Sequence, residues 1–364
     1  MSAPMREAST AGFEPVTEFR ARSTVIGSPA GGTTRISRST DVVELTLVAG
    51  RVVSSVRRWD RPAVDLDDAA DQALRIALDR LDEVAGRAVA VQSVLVSAEG
   101  GWGAAAPPAP VVRVLARVET VAGPLVLGGR GPRATDEVSR MVAAANGLRG
   151  LPAEQPGTRR CPVVLFPAVS AVLVVAARMV LTSPAAARLA GRRVLPPLTL
   201  TDDPVARAGQ DDNGRAVGPI ELVVDGRVRA PARDPDTGAL LGRAAWSHDL
   251  RRLTGAGPHR VRLSGLREIP VPADRIDVLY PVEGLERYLP GGFVRVTCVA
   301  RASAGPRWCL VRLCARPLSL LRMVRGAHGP GTPLYSDHET DVPALVLPSL
   351  VRLEGSSGVS VELA

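Results

Sequence analysis

Strand-like alternation of apolar and polar residues runs through much of the chain, and helical periodicity breaks into it at only a few places. In the first half, Phe19 to Ile26 and Asp41 to Trp59 read as strands. Gly50 separates the apolar stretches Val42 to Val48 and Val52 to Val56, which predicts a hairpin. Val89 to Val96, Val111 to Glu119 and Leu125 to Leu127 extend the pattern, the last two joined across Ala122-Gly123-Pro124. The period becomes helical at Asp65 to Glu83, where Leu66, Ala69, Ala70, Ala73, Leu74, Ala77 and Leu81 form one stripe and Asp67, Asp68 and Asp71 sit near the positive end. A second helix runs from about Thr135 to Ala145, with Thr135 as N-cap, Asp136 and Glu137 in its first turn, and Asn146-Gly147 as its stop.

Val163 to Leu181 is strongly apolar, with Arg178 its one charged residue. Pro167 and Ser170 interrupt it, and the clean portion falls short of the roughly 20 residues a bilayer span needs. It reads as a buried strand, Pro162 to Phe166, followed by a core helix from Pro167 to about Thr182, proline being acceptable in the first turn. Beyond Leu195 strands dominate: Leu198 to Thr201, Ile220 to Val224, Arg260 to Leu263, Arg275 to Tyr280, Phe293 to Ala300, Cys309 to Cys314 and Ala344 to Leu353. Helical pieces fall at Pro184 to Ala190 and Leu318 to Arg325. The polar, Pro- and Gly-rich stretch Gly150 to Arg160 is the best domain boundary, giving units 1–150 and 161–364. Strands with interspersed helices point to an α+β protein, an N-terminal sheet with packed helices and a strand-rich C-terminal domain.

Composition narrows the chemistry. All 45 basic residues are arginine, so no Schiff-base lysine, Gly-Lys-Ser/Thr phosphate loop or kinase-type ATP lysine exists. The net charge of +8 reads as compositional bias, since the pairs Arg57-Arg58, Arg159-Arg160, Arg192-Arg193 and Arg251-Arg252 are dispersed with acids between them. An arginine-rich nucleic-acid binder stays as an alternative, although aromatics at 3% leave little for base stacking. An acidic protein or peptide partner is a further one. Cys161, Cys298, Cys309 and Cys314 show no disulfide or Cys-x-x-Cys spacing, and the N-terminus has no apolar signal core, so a reduced, cytoplasmic protein is expected.

Few side-chain groups suggest a site. Asp202, Asp203, Asp211 and Asp212 supply hard oxygen donors for a cation or a peptide amine, or simply cap backbone amides at strand ends. Asp337, His338, Glu339 and Asp341 form the densest cluster of ligand-type residues, within an expected solvated loop from Gly331 to Pro343. His248 and His259 have no partner at ligand spacing. Cys309 and Cys314 lie an odd number of residues apart, which puts them on opposite faces of one strand, and with Cys298 they read as small core residues. Gly128-Gly129-Arg130-Gly131 lacks the second half of a glycine fingerprint and reads as a flexible linker, and Gly355-Ser356-Ser357-Gly358 reads as a turn.

Collinear motifs in the second half carry a family resemblance. Val163-Val164-Leu165-Phe166-Pro167 with its apolar helix is followed by Leu198 to Pro204, then Asp211-Asp212-Asn213-Gly214, then Ile220 to Gly226. In order and spacing these resemble the TldD/PmbA family, and Pro343 to Gly355 is similar to its terminal strand region. In catalytic members of that family a helix carries His-Glu-x-x-x-His, whose imidazoles hold zinc while the glutamate takes a proton from bound water. Laid on this chain, the pattern puts Val175, Ala176 and Val180 at those three positions, and an assisting cysteine would fall near Pro333. No histidine or acid occurs between Cys161 and Thr201.

The resemblance is therefore to the ligand-free, TldE/PmbA-like branch. It implies a subunit with no catalytic residue or cofactor of its own, paired as a heterodimer with a TldD-like subunit that holds zinc and acts on peptides. The chain departs from the family in reading Asp-Asp-Asn-Gly for Asp-Asp-Glu-Gly, and in a shortened stretch between Thr254 and Val294. That divergence supports an alternative in which the pair modifies a ribosomal peptide without simple hydrolysis.

Overall fold

The computed structural model describes residues 16–30, 33–48, 51–58, 89–99, 111–120 and 123–130, with Arg140, Ala143, Ala144 and Gly147. From 162 to 348 it describes all but 204–210, 212–214, 234–237, 239, 248–251, 255–259, 283–286, 290–292, 304–306 and 336–338, and it continues at 359–363. The helix expected at Asp65 to Glu83 and the boundary at Gly150 to Arg160 lie outside the described residues.

Six strands of the first half form an antiparallel run. They are β1 (Val16–Ala30), β2 (Thr33–Val48), β3 (Arg51–Arg58), β4 (Val89–Glu99), β5 (Val111–Thr120) and β6 (Gly123–Arg130), in the spatial order β3-β2-β1-β4-β5-β6. The hairpin at Gly50 is present, with Val48 opposite Arg51. β2 starts eight residues before the apolar alternation does, since its first part pairs with β1 through polar residues such as Ser37 and Ser39. Gly128-Gly129-Arg130 is no linker: it completes β6 against Arg113 to Leu115. Cross-strand backbone pairing there outweighs the low strand propensity of glycine. The second helix is described at four positions, and Gly147 is itself helical rather than the expected stop, its α-carbon pressed against the Trp308 ring with no space for a β-carbon.

In the second half, β7 (Val163–Leu165) leads through Phe166 into α1 (Pro167–Leu181), followed by a 3-10 turn at Pro184–Leu189. The strands are β8 (Thr199–Asp202), β9 (Ile220–Val224), β10 (Arg227–Val228), the isolated pair β11 (Ala245–Ser247) and β12 (Arg252–Thr254), β13 (Arg260–Ser264), β14 (Ile276–Pro281), β15 (Arg287–Leu289), β16 (Phe293–Ala302) and β17 (Arg307–Ala315). A short α2 (Pro317–Arg322), β18 (Gly326–Tyr335), β19 (Glu339–Leu347) and β20 (Val359–Leu363) complete the chain.

β19 is where the sheet forks. β18 pairs along one edge of it, while its other edge runs parallel to β13 at Glu339 to Asp341 and antiparallel to β7 at Leu345 to Leu347. One arm continues β13-β8-β9-β10 and the other β7-β14-β16-β17-β20. β18 also touches β6 at Gly128, and Leu125 bridges Val282, so strands of the two halves meet. The expected loop from Gly331 to Pro343 is thus a hairpin. Its first strand was hidden because Gly326, Gly329, Pro330, Gly331 and Pro333 are poor strand formers, accommodated by a register shift between His328 and Thr332.

α1 lies in the fork. Pro167 opens it where a missing N–H costs nothing. Val169, Leu173, Val174, Ala177 and Leu181 are fully buried, as a helix apolar on nearly every side must be. Buried Ser170 satisfies its hydroxyl by donating to the Leu165 carbonyl at 3.0 Å. Val296, Cys298, Val299 and Ala300 of β16 are buried without alternation, so that strand is covered on both faces. Cys309 lies opposite Ala300 and Cys314 opposite Arg295, which places them on opposite faces. Among the described residues no helix is long and apolar enough to cross a membrane.

Candidate functional site

The last two turns of α1 hold the positions that the family pattern singles out. Val175 and Ala176 are buried, Val180 is half-buried, and the neighbouring Met179 is exposed. Arg178, the helix's one charge, reaches the end of β8, where its Nε donates to Asp202 Oδ2 at 2.8 Å. Asp202 is fully buried, and its Oδ1 accepts the Arg260 backbone N–H at 3.1 Å.

A second arginine, Arg243, lies beside Asp202 and is itself fully buried. Its Nε is 3.5 Å from Asp202 Oδ2, close enough for an ion pair but without a hydrogen bond. Its Nη2 donates to the carbonyls of Asp202 at 2.8 Å and Gly218 at 2.9 Å, and its Nη1 to that of Gly242 at 2.9 Å. Burial pulls the Arg243 pKa below the usual arginine range, and the Asp202 carboxylate pulls it back up.

Asp211 converges on the same place. It is buried, its Oδ1 accepts the Arg215 N–H and its Oδ2 the Ala244 N–H, each at 2.9 Å. Two acidic turns nine residues apart therefore meet around Arg243-Ala244, where the carboxylates of Asp202 and Asp211 cap backbone amides and Asp202 also pairs with guanidinium groups. Asp203 instead points outward, its Oδ2 3.3 Å from Arg262 Nη1. Asp212 lies outside the described residues. Arg243 was missed by sequence reasoning, although its place inside the apolar run Leu240-Leu241-Gly242-Arg243-Ala244 is the signal that would have found it.

Gly242 turns the chain into this cluster with φ of 72°, and a β-carbon there would collide with the Ala216 carbonyl oxygen. Gly242→Ala is expected to cost about 1–3 kcal/mol, read as a lower urea midpoint at unchanged slope.

Three solved structures share this arrangement of strands around a buried helix. TldE from Thermococcus kodakarensis superposes with a TM-score of 0.63 at 13% identity, over 96% of this chain and 97% of that one. The chain has the TldE fold. A candidate modulator of a DNA gyrase from Thermotoga maritima MSB8 matches with a TM-score of 0.62 at 13% identity, over 97% and 96% of the two chains. Another, from Bacteroides thetaiotaomicron VPI-5482, matches at 0.56 and 11%, over 96% and 94%. No family model and no curated protein sequence matches the chain.

Within this TldE fold the remaining candidates are dispersed. Pro333 is exposed on β18, opposite Asp341. Asp341 accepts from Arg260 Nη2 at 2.9 Å and lies 3.5 Å from Arg262 Nε. Glu339 opens β19, whereas Asp337, His338, His248 and His259 lie outside the described residues. Among the described residues no three His, Cys, Asp or Glu side chains are grouped so as to hold a metal ion.

Proposed function

We propose that this chain is a TldE-like, non-catalytic subunit of a heterodimeric zinc metallopeptidase-like complex that processes peptides. One observation carries the reading: the helix at the motif register presents Val175, Ala176 and Val180, and none of these side chains can ligate a metal or accept a proton. In the catalytic branch, two imidazoles and a carboxylate of such a helix provide the metal and the base. In this reading a TldD-like partner holds the zinc, activates water and cleaves the peptide, while this chain closes the cavity around that site. The proposal also keeps 1–150 and 161–364 as two units and a cytoplasmic setting.

Co-expression with a relative that carries His-Glu-x-x-x-His tests it. The expected result is co-elution as a heterodimer, with stoichiometric zinc in the complex and none in this chain purified alone. A chain that stays monomeric beside such partners, or that binds stoichiometric zinc by itself, overturns the proposal. Mass spectrometry of a treated precursor peptide separates hydrolysis, which leaves shorter fragments, from modification, which leaves a full-length product of changed mass.

A further inference from the structure

Side chains from the first half complete the core of the second. Among the described residues, the fully buried apolar side chains of the first half are Leu125 and Ala144. Both belong to the cluster that also holds Leu173 and Val174 of α1 and Val282, the residue after β14. Leu125 is the bridge partner of Val282, and neither is accessible to solvent. Two positions earlier, Gly123 takes a φ of 124° and passes so close to Val282 that a β-carbon would lie 2.8 Å from its Cγ1. β6 then reaches β18, where Gly128 pairs with Tyr335.

A second contact lies at β17. Gly147 meets the Trp308 ring so closely that no β-carbon fits between them. Arg301, the partner of Trp308 on β16, stacks over the ring with its guanidinium carbon 5.8 Å from the ring centre, and its Nη2 lies 3.8 Å from Oδ2 of buried Asp277. A chain of 364 residues is expected to open in pieces when its halves carry separate cores. Here the buried apolar groups described in the first half have their partners in the second, so opening either half exposes part of the same cluster.

We infer that contacts at Leu125–Val282 and Gly147–Trp308 clasp the two halves into one cooperative unit, so that neither opens while the other stays folded. The units 1–150 and 161–364 are then distinct in sequence and single in unfolding. The inference does not depend on the subunit role proposed above.

Pulsed hydrogen exchange of the full chain across a urea series tests it, read by mass spectrometry of peptides from β5 and from β16. In the wild type the two peptides are expected to share one midpoint. Leu222→Ala is the sharper probe, because Leu222 is fully buried in β9, which β8, β13, β19 and β18 separate from β6. It is expected to lower the β5 and β16 midpoints by the same amount. Leu125→Ala/Trp308→Ala, which weakens both contacts, is expected to split them, with β5 opening at the lower urea concentration. Separate midpoints in the wild type, a β5 midpoint untouched by Leu222→Ala, or an unsplit transition in the double variant overturns the inference.

Discussion

Asp202→Ala is expected to cost the fold about 3–5 kcal/mol, the range for removing one partner of a buried pair. Its side chain is fully buried between Arg178 and fully buried Arg243, so deletion takes from that guanidinium the anion it pairs with, in a site that already disfavours its charge. The Arg260 N–H loses its acceptor as well. Arg178→Ala is expected to cost less, because that side chain reaches the protein's edge at 11% exposure and leaves the Asp202–Arg243 pair intact. Asp202→Ala combined with Arg243→Met is expected to recover part of the loss, since removing the buried guanidinium together with its anion leaves no fully buried charge uncompensated there. Urea midpoints of the three variants check the order. A wild-type midpoint for Asp202→Ala would show that the cluster contributes nothing net.

Ala176→Glu is the second large effect, expected to lower stability by more than about 3 kcal/mol. Ala176 is 2% exposed within the core around α1, where a carboxylate finds neither room nor a cation. Val180→His, at a half-buried position, is expected to stay within about 1 kcal/mol. Restoring the whole His-Glu-x-x-x-His pattern at Val175, Ala176 and Val180 is therefore expected to unfold the helix surroundings before it builds a zinc site. Circular dichroism melts of the single variants check the contrast. Equal melting temperatures for Ala176→Glu and wild type would mean that the motif position opens to solvent.

These two expectations differ in how far the sequence reveals them. The path from β7 through Phe166 into α1 is plain, because an apolar run, a proline at the first helical position and a single arginine allow little else. β9, expected at Ile220 to Val224, is equally plain. β18 is not: its glycines and prolines argue against a strand, and only pairing with β19 makes one. The acidic turns show as chemistry but not as geometry. Nothing in Asp202 or Asp211 says that they meet at Arg243, while Asp203, one residue away, turns outward. Arg243 itself passes as another compositional arginine.

The sequence by itself determined which reactions this chain lacks the groups for. It holds no lysine anywhere and no histidine or acid from 162 to 200, and both are properties of the residue string. It also determined most element types, since periodicity and turn residues are local. The folded chain alone decided which charges become neighbours. Arg243 donates to Asp202 across 41 residues and Arg322 to Val194 across 128. Contacts at those separations are set by strand register and by how α1 and α2 pack in the fork of the sheet, which no local pattern encodes. For that reason Arg243, one arginine among 45 along the chain, becomes the fully buried partner of Asp202 only in the folded protein.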